Sequence, residues 1–368
     1  VRLGCIRVYS DRLPVGPLRL TEPRLPRSVR GAGEGNEVTS PVRVDIELPA
    51  MMTTPFYAAL RVLVLLAVFV SSANAATVRL FLIGNSFSQA AARYLPEIAK
   101  AGGHELILGR AELPGAPMSQ HWNAVVAYAA SPDDPKGKPY QGKTRSLEQL
   151  LSSNQWDIVT IQQASIDSSD RASYEPYARQ LRDFVKKLQP TAEVVMHQTW
   201  AYRSDEKVFA FVDREKKQHA RTQEDMWKTS RAAYHAAADD LGLRLIPAGD
   251  AFWASDSDPV WGYRRDAKFN FKNPPYPALP DQAHSLHVGY YWKNGATNAP
   301  AFDAHHPNAA GCYLAGLVWY GFLFGESPEK VTFVPEGVPA PFAAHLREVA
   351  ARTLKALPAK KQPAQTPR

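Results

Sequence analysis

Cysteine is nearly missing from this 368-residue chain: Cys5 and Cys312 are too few for a disulfide framework or a cysteine-based zinc site. Lysine is absent from the first 50 residues, which hold eight arginines and six acidic residues, and residues 51–75 hold only Arg61. That leaves 34 basic and 30 acidic residues from Ala76 onward, so the formal charge of +7 makes no strong case for a nucleic-acid partner. No internal repeat is found. The composition, 45% apolar and 21% charged, excludes a disordered or collagen-like chain and supplies enough apolar surface for a real core.

A targeting signal is expected at residues 51–75. Met51-Met52 opens it, Arg61 precedes the apolar run 62–70, and Ala73-Asn74-Ala75 places small residues at −3 and −1 of a cleavage site. The run is about half the ~20 residues of a spanning helix, so no stable membrane span is expected after cleavage behind Ala75. The protein is therefore expected to be secreted or periplasmic. Residues 1–50, rich in arginine and proline, would precede the signal and read as a mis-assigned N-terminal extension. The mature domain is expected at 76–357, followed by a disordered tail at 358–368.

From Ala76 short β-branched runs alternate with longer helical stretches, which is the pattern of βαβ units and a parallel sheet. Strands are expected at 78–83, 105–108, 157–161, 193–197 and 243–246. Helices are expected at 89–101, 146–152, 173–188, 218–241, 309–324 and 341–357. Five strands with interleaved helices fit a three-layer α/β sandwich, whose ligands gather at the strand ends. Residues 252–302 break the alternation: eleven aromatics stand among 51 residues with little periodicity. A stretch that long and aromatic is either added core packing or one wall of a binding cleft.

The chemistry begins at the end of the first strand, where Gly84-Asn85-Ser86-Phe87-Ser88 leads into a helix. A serine there presents its hydroxyl at the sheet's carboxyl edge, although Ser86 and Ser88 also suit a helix N-cap. Near the other end stands Asp303-Ala304-His305-His306-Pro307-Asn308, read as a helix start. An aspartate three residues before a histidine can orient the imidazole so that it takes a proton from a serine.

Together these blocks resemble the SGNH or GDSL-type hydrolases, which carry Gly-Asp-Ser or Gly-Asn-Ser after the first strand and Asp-x-x-His near the C-terminus. Ile161-Gln162-Gln163-Ala164-Ser165, His197-Gln198-Thr199-Trp200-Ala201-Tyr202 and Gly311-Cys312-Tyr313-Leu314-Ala315-Gly316 are similar to a bacterial branch of unassigned function. The resemblance runs from about Val78 to Val338. It implies a flavodoxin-like parallel five-stranded sheet, ester hydrolysis without metal or other cofactor, and a triad of Ser86, His306 and Asp303. It also implies an oxyanion hole from the Ser86 amide, the Gly115 amide and a third donor. The Gly-x-Asn-Asp block that usually supplies that donor is missing. Period-two alternation leaves Gln162 and Gln163 as replacements, with Gln163 preferred.

Four histidines, His284, His287, His305 and His306, lie close in sequence with Asp281 and Asp303, which raises a rival metal hydrolase. The segment 286–290 does not read as a helix, so no metal site is assigned. Gln162, His197, Trp200 and His305 are expected near the substrate. The reading is a secreted serine esterase removing ester groups, O-acetyl above all, from carbohydrate. The substrate is a small molecule or polysaccharide ester. A lipid or aryl esterase and a non-catalytic carbohydrate-binding module are the alternatives.

Overall fold

The structure, a computed structural model, describes residues 75–210, 218–293, 295 and 299–358. The extension expected at 1–50, the export signal up to residue 74 and the tail beyond Pro358 lie outside the described residues.

Five parallel strands form the central sheet. They are β1 (Thr77–Gly84), β2 (Glu105–Glu112), β3 (Ile158–Ile161), β4 (Glu193–His197) and β5 (Arg244–Ile246), in the order β2-β1-β3-β4-β5. Residues 80–84 of β1 are all buried, as expected for a central strand covered on both faces. Leu80 and Leu82 point to one helical layer, and Phe81 and Ile83 to the other. The first layer comprises α1 (Ser86–Ala91), α2 (Leu95–Ala101), α7 (Ala248–Asp256), α8 (Ala309–Phe324) and α9 (Ala340–Lys355), with Phe87, Ile98, Phe252, Leu314 and Leu346 in the core. The second comprises α3 (Met118–Ala130), α4 (Leu147–Leu151), α5 (Tyr177–Leu188) and α6 (Gln223–Leu241), contributing Met118, Leu150, Leu181 and Tyr234. Each fully buried Leu or Phe of this kind is worth roughly 1.5–3 kcal/mol. The fold is thus the three-layer α/β sandwich with a flavodoxin-like sheet.

Strand 193–197 and helix 309–324 coincide with β4 and α8. The helix expected at 89–101 divides into α1 and α2, because Pro96 fits only a first turn and begins a new helix there. The stretch 252–302 is less irregular than its sequence: α7 runs into it, and it holds β6 (His287–Tyr291), which pairs antiparallel with β7 (Ala301–Pro307). A register shift between His287 and Gly289 interrupts the alternation that would have marked β6. No helix among the described residues is long and apolar enough to cross a membrane.

Candidate active site

β1 lies between β2 and β3, so the chain leaves it at the point where the strand order reverses, the usual ligand crevice of such sheets. Gly84 closes the strand in a space that admits no side chain: a Cβ there would lie 2.6 Å from Ser88 Oγ and 2.9 Å from Gln162 Oε1. Asn85, in extended conformation, is the N-cap of α1, and its Oδ1 accepts the Phe87 N–H at 3.0 Å. The capping role considered for Ser86 and Ser88 therefore belongs to Asn85. Ser88 Oγ turns inward to Asn85 O (2.9 Å) and Glu112 Oε1 (3.1 Å). Ser86 is half-buried, and its hydroxyl meets a residue 220 positions away.

That residue is His306, whose Nε2 is 3.0 Å from Ser86 Oγ. Its Nδ1 is 2.8 Å from Asp303 Oδ2, and Asp303 Oδ1 accepts the backbone N–H groups of His305 and His306 at 3.0 and 2.9 Å. The Asp-x-x-His block stands directly before α8, as expected, but its residues belong to β7 and not to the helix itself. Asn308 caps α8 by accepting from Gly311 N, and it donates to the carbonyls of Ser285 and His287. A carboxylate only accepts, so Nδ1 carries the proton and Nε2 is left to accept from the serine hydroxyl. Burial pushes the Asp303 carboxyl up, but hydrogen bonds from the His306 ring and two backbone amides outweigh it and hold the group well below the usual carboxylate range. The Asp303 hydrogen bond raises His306 above its ordinary value against the opposing effect of burial. The His306 side chain is 47% exposed, so the proton-transfer atoms are open to a ligand.

Gly115 lies in an exposed turn, Leu113 to Ala116, that requires its φ of +65°. Asn85 Nδ2 donates to Ala116 O at 3.1 Å, which ties this turn to the loop carrying Ser86. The amides of Ser86 and Gly115 thus belong to two loops joined at Asn85. Gln163 does not join them: its Nε2 donates to Ser173 O and Oγ, and its Oε1 accepts from Met118 N. It braces the opposite helical layer, because β3 directs Gln162, not Gln163, toward Asn85. Gln162 Nε2 donates to Asn85 Oδ1 at 2.7 Å, and its Oε1 meets His197 Nδ1 at 3.1 Å.

Three residues expected at the substrate are interior: Gln162, held between Asn85 and His197, then His197 itself and Trp200. His197 is fully buried against Trp319, and burial pushes its imidazole down to about 3. Trp200 stacks between Phe87 and Phe252, and its Nε1 donates to His305 O, so it forms the floor under β7. His305 is 44% exposed at the surface beside Tyr202 and faces Glu206 at 3.3 Å. The four histidines do not converge. His287 is buried and its Nε2 meets Ala201 O at 3.1 Å, while His284 packs on Trp261 and Phe342. Among the described residues no group of three or more His, Cys, Asp or Glu side chains is arranged to hold a metal ion.

Asn85 as a three-way brace and the buried Arg203 were not legible in the sequence. Arg203 N donates to Ala304 O, and its guanidinium bonds Asp205 and Gln282, fastening β7 and the aromatic stretch to the segment after β4. The His197-Gln198-Thr199-Trp200-Ala201-Tyr202 block pointed to that segment without reaching residue 203.

A serine, a histidine and an aspartate bonded in series at the carboxyl edge of a flavodoxin-like sheet define the class of site. The chain belongs to the DUF4886 family, a domain of unknown function whose profile matches residues 79–264. That span includes Ser86, Gly115 and Gln162 but stops short of Asp303 and His306. A crystal structure of a DUF4886 family protein from Bacteroides uniformis shares the fold, with 20% identity and a TM-score of 0.57 over 79% of this chain and 98% of that one. A protein from Slackia heliotrinireducens proposed as an SGNH hydrolase is 21% identical, with a TM-score of 0.38 over 66% of this chain and 97% of that one. Phospholipase A1 from Streptomyces albidoflavus is 14% identical, with a TM-score of 0.31 over 67% and 97%. No curated protein matches the chain.

Proposed function

We propose that the protein is a serine esterase. The observation that carries this reading is the pair of contacts on one ring: His306 Nε2 at 3.0 Å from Ser86 Oγ and Nδ1 at 2.8 Å from Asp303. Ser86 Oγ attacks the ester carbonyl and gives its proton to His306 Nε2, while Asp303 stabilises the imidazolium. The amides of Ser86 and Gly115 receive the oxyanion; one such donor is worth on the order of 3 kcal/mol of barrier. The tetrahedral species collapses as His306 returns the proton to the leaving alcohol, and water then releases the acyl group from Ser86 by the same proton path.

Acetyl esters of carbohydrate are the proposed substrates. The partly exposed aromatic rings of the 252–302 stretch support this, because flat rings take the C–H face of a sugar. Hydrolysis of a chromogenic acetate ester tests the class: inactivity of the folded protein would remove the esterase reading. Chelator should leave the rate unchanged, and a metal-reversible loss would move the chemistry to another site. Export with cleavage after Ala75 is part of the proposal, and N-terminal sequencing of the secreted chain should begin at Ala76.

A further inference from the structure

We infer that a cavity of about 550 Å³ beside the β6–β7 hairpin is a binding site for an acidic sugar residue of the substrate chain. Its wall is aromatic. Phe269 and Phe271 meet at 5.1 Å between ring centroids, Phe271 and Tyr290 at 5.2 Å, and Tyr290 is stacked on Phe302 behind it at 4.5 Å. All three lining rings are partly exposed, so the ring surface not covered by Phe302 or Arg265 is open to the C–H face of a pyranose.

The charges on that wall set the sign of the ligand. Asp205 lines the cavity, yet its carboxylate is taken by Arg203 at 2.7 and 2.9 Å and by Tyr263 OH at 3.2 Å, a pair whose charges cancel. Lys207 and Arg265 also line it, and neither has a carboxylate partner among the described residues. Arg265 lies 4.1 Å over the Phe271 ring and shares a side-chain hydrogen bond with Tyr290, so its guanidinium is held at the aromatic wall with donors to spare and, among the described residues, no carboxylate on it. A neutral sugar would gain the stacking alone. A sugar carboxylate adds a charge-assisted hydrogen bond to Arg265 and attraction to Lys207.

The cavity is coupled in space to the candidate triad. Tyr290 pairs across the hairpin with Phe302, the residue before Asp303, and Glu206, between the two lining residues Asp205 and Lys207, reaches His305. Along β7 the four steps from Phe302 to His306 span about 14 Å. An oligosaccharide with its ester at Ser86 would therefore place a more distant sugar unit in the cavity. This link to turnover rests on the esterase reading, whereas binding does not.

Calorimetric titration of the full chain with trigalacturonate and with neutral galactotriose tests the inference without any turnover. The acidic trimer should bind at least tenfold more tightly than the neutral one, and its affinity should fall as salt is raised. The Lys207→Gln/Arg265→Gln double variant should lose tenfold or more for the acidic trimer only. Equal affinity for both trimers, no binding of the acidic trimer, or a folded double variant that binds it like the parent would each overturn the proposal. Because the acid-against-neutral comparison uses the unsubstituted chain, it stands even if the double variant misfolds. Inactivity on chromogenic acetate together with acid-selective binding would remove the esterase reading and leave the site in place.

Discussion

Asp303 holds His306 through both of its carboxylate oxygens: Oδ1 accepts the His306 backbone N–H at 2.9 Å, and Oδ2 accepts the ring Nδ1–H at 2.8 Å. One aspartate thus fixes the position of the peptide and the rotation of the ring it carries. The same contacts depress the carboxyl and raise the imidazole, so the two groups are displaced in opposite directions.

The pH profile follows with a definite sign. A general base works in its neutral form, so kcat/KM should rise with pH through an inflection above the ordinary histidine value of about 6.5. Asp303→Asn removes the carboxylate that raises His306. Its acid limb should move to lower pH, with the plateau reduced on the order of 10³–10⁴-fold. An acid limb that stays in place would show that His306 is not the titrating group.

Ser86→Ala and His306→Ala should each lower kcat at least 10³-fold, and the double variant should be little worse than either, since the two act in one proton transfer. Unfolding free energy should change by less than about 0.5 kcal/mol in Ser86→Ala, because Asn85 and not Ser86 caps α1. His305→Ala should lose far less than His306→Ala, since its ring faces Glu206 and not Ser86. Multiplying losses in the double variant would mean that the two residues act independently.

The glutamine pair separates a structural from a site role. Gln163→Ala leaves the buried Met118 N and the half-buried Ser173 carbonyl without partners, so it should cost about 1–3 kcal/mol of stability, with the folded fraction retaining its kcat. Gln162→Ala disturbs Asn85 directly and should lower kcat more than Gln163→Ala does. Urea titration and active-fraction kinetics read the two effects apart. A large kcat loss in folded Gln163→Ala would restore it as an oxyanion donor.

The sheet was legible because its signal is local: β4 and its neighbours are short β-branched runs, and α8 is apolar on every side. Ser86, His306 and Asp303 were singled out through short blocks of fixed spacing, and the structure brings their side chains into contact. α3 was missed because its buried face consists of Met118, His121, Ala124 and Val125, a weak apolar stripe with a histidine in it. The hairpin was missed for its bulge. Gln163, His197 and Trp200 were misplaced for another reason. At a strand end the sequence names polar and aromatic groups without saying which layer they enter, and only the long-range partners Ser173, Trp319 and Phe252 decide it.

Asn85 gives the most searching test, because one atom can be changed while the rest of the side chain stays. Its Oδ1 caps α1 and accepts from Gln162, and its Nδ2 donates to Ala116 O. Asn85→Asp keeps the acceptor at Oδ1 and turns the donor into a second oxygen facing the Ala116 carbonyl. Two acceptors then oppose each other in a site only 2% exposed, so the turn carrying Gly115 should be pushed away while the helix remains capped. An aspartate at this place needs a donor opposite it, and this chain presents a carbonyl. The expected result is a fall in kcat of about tenfold to a hundredfold with a smaller change in KM, at a stability cost of about 1–3 kcal/mol. Asn85→Ala should cost stability as well through the lost cap, about 1 kcal/mol on that account. If Asn85→Asp keeps full kcat, the Gly115 amide takes no part in holding the oxyanion, and the third and second donors must both be sought outside this turn.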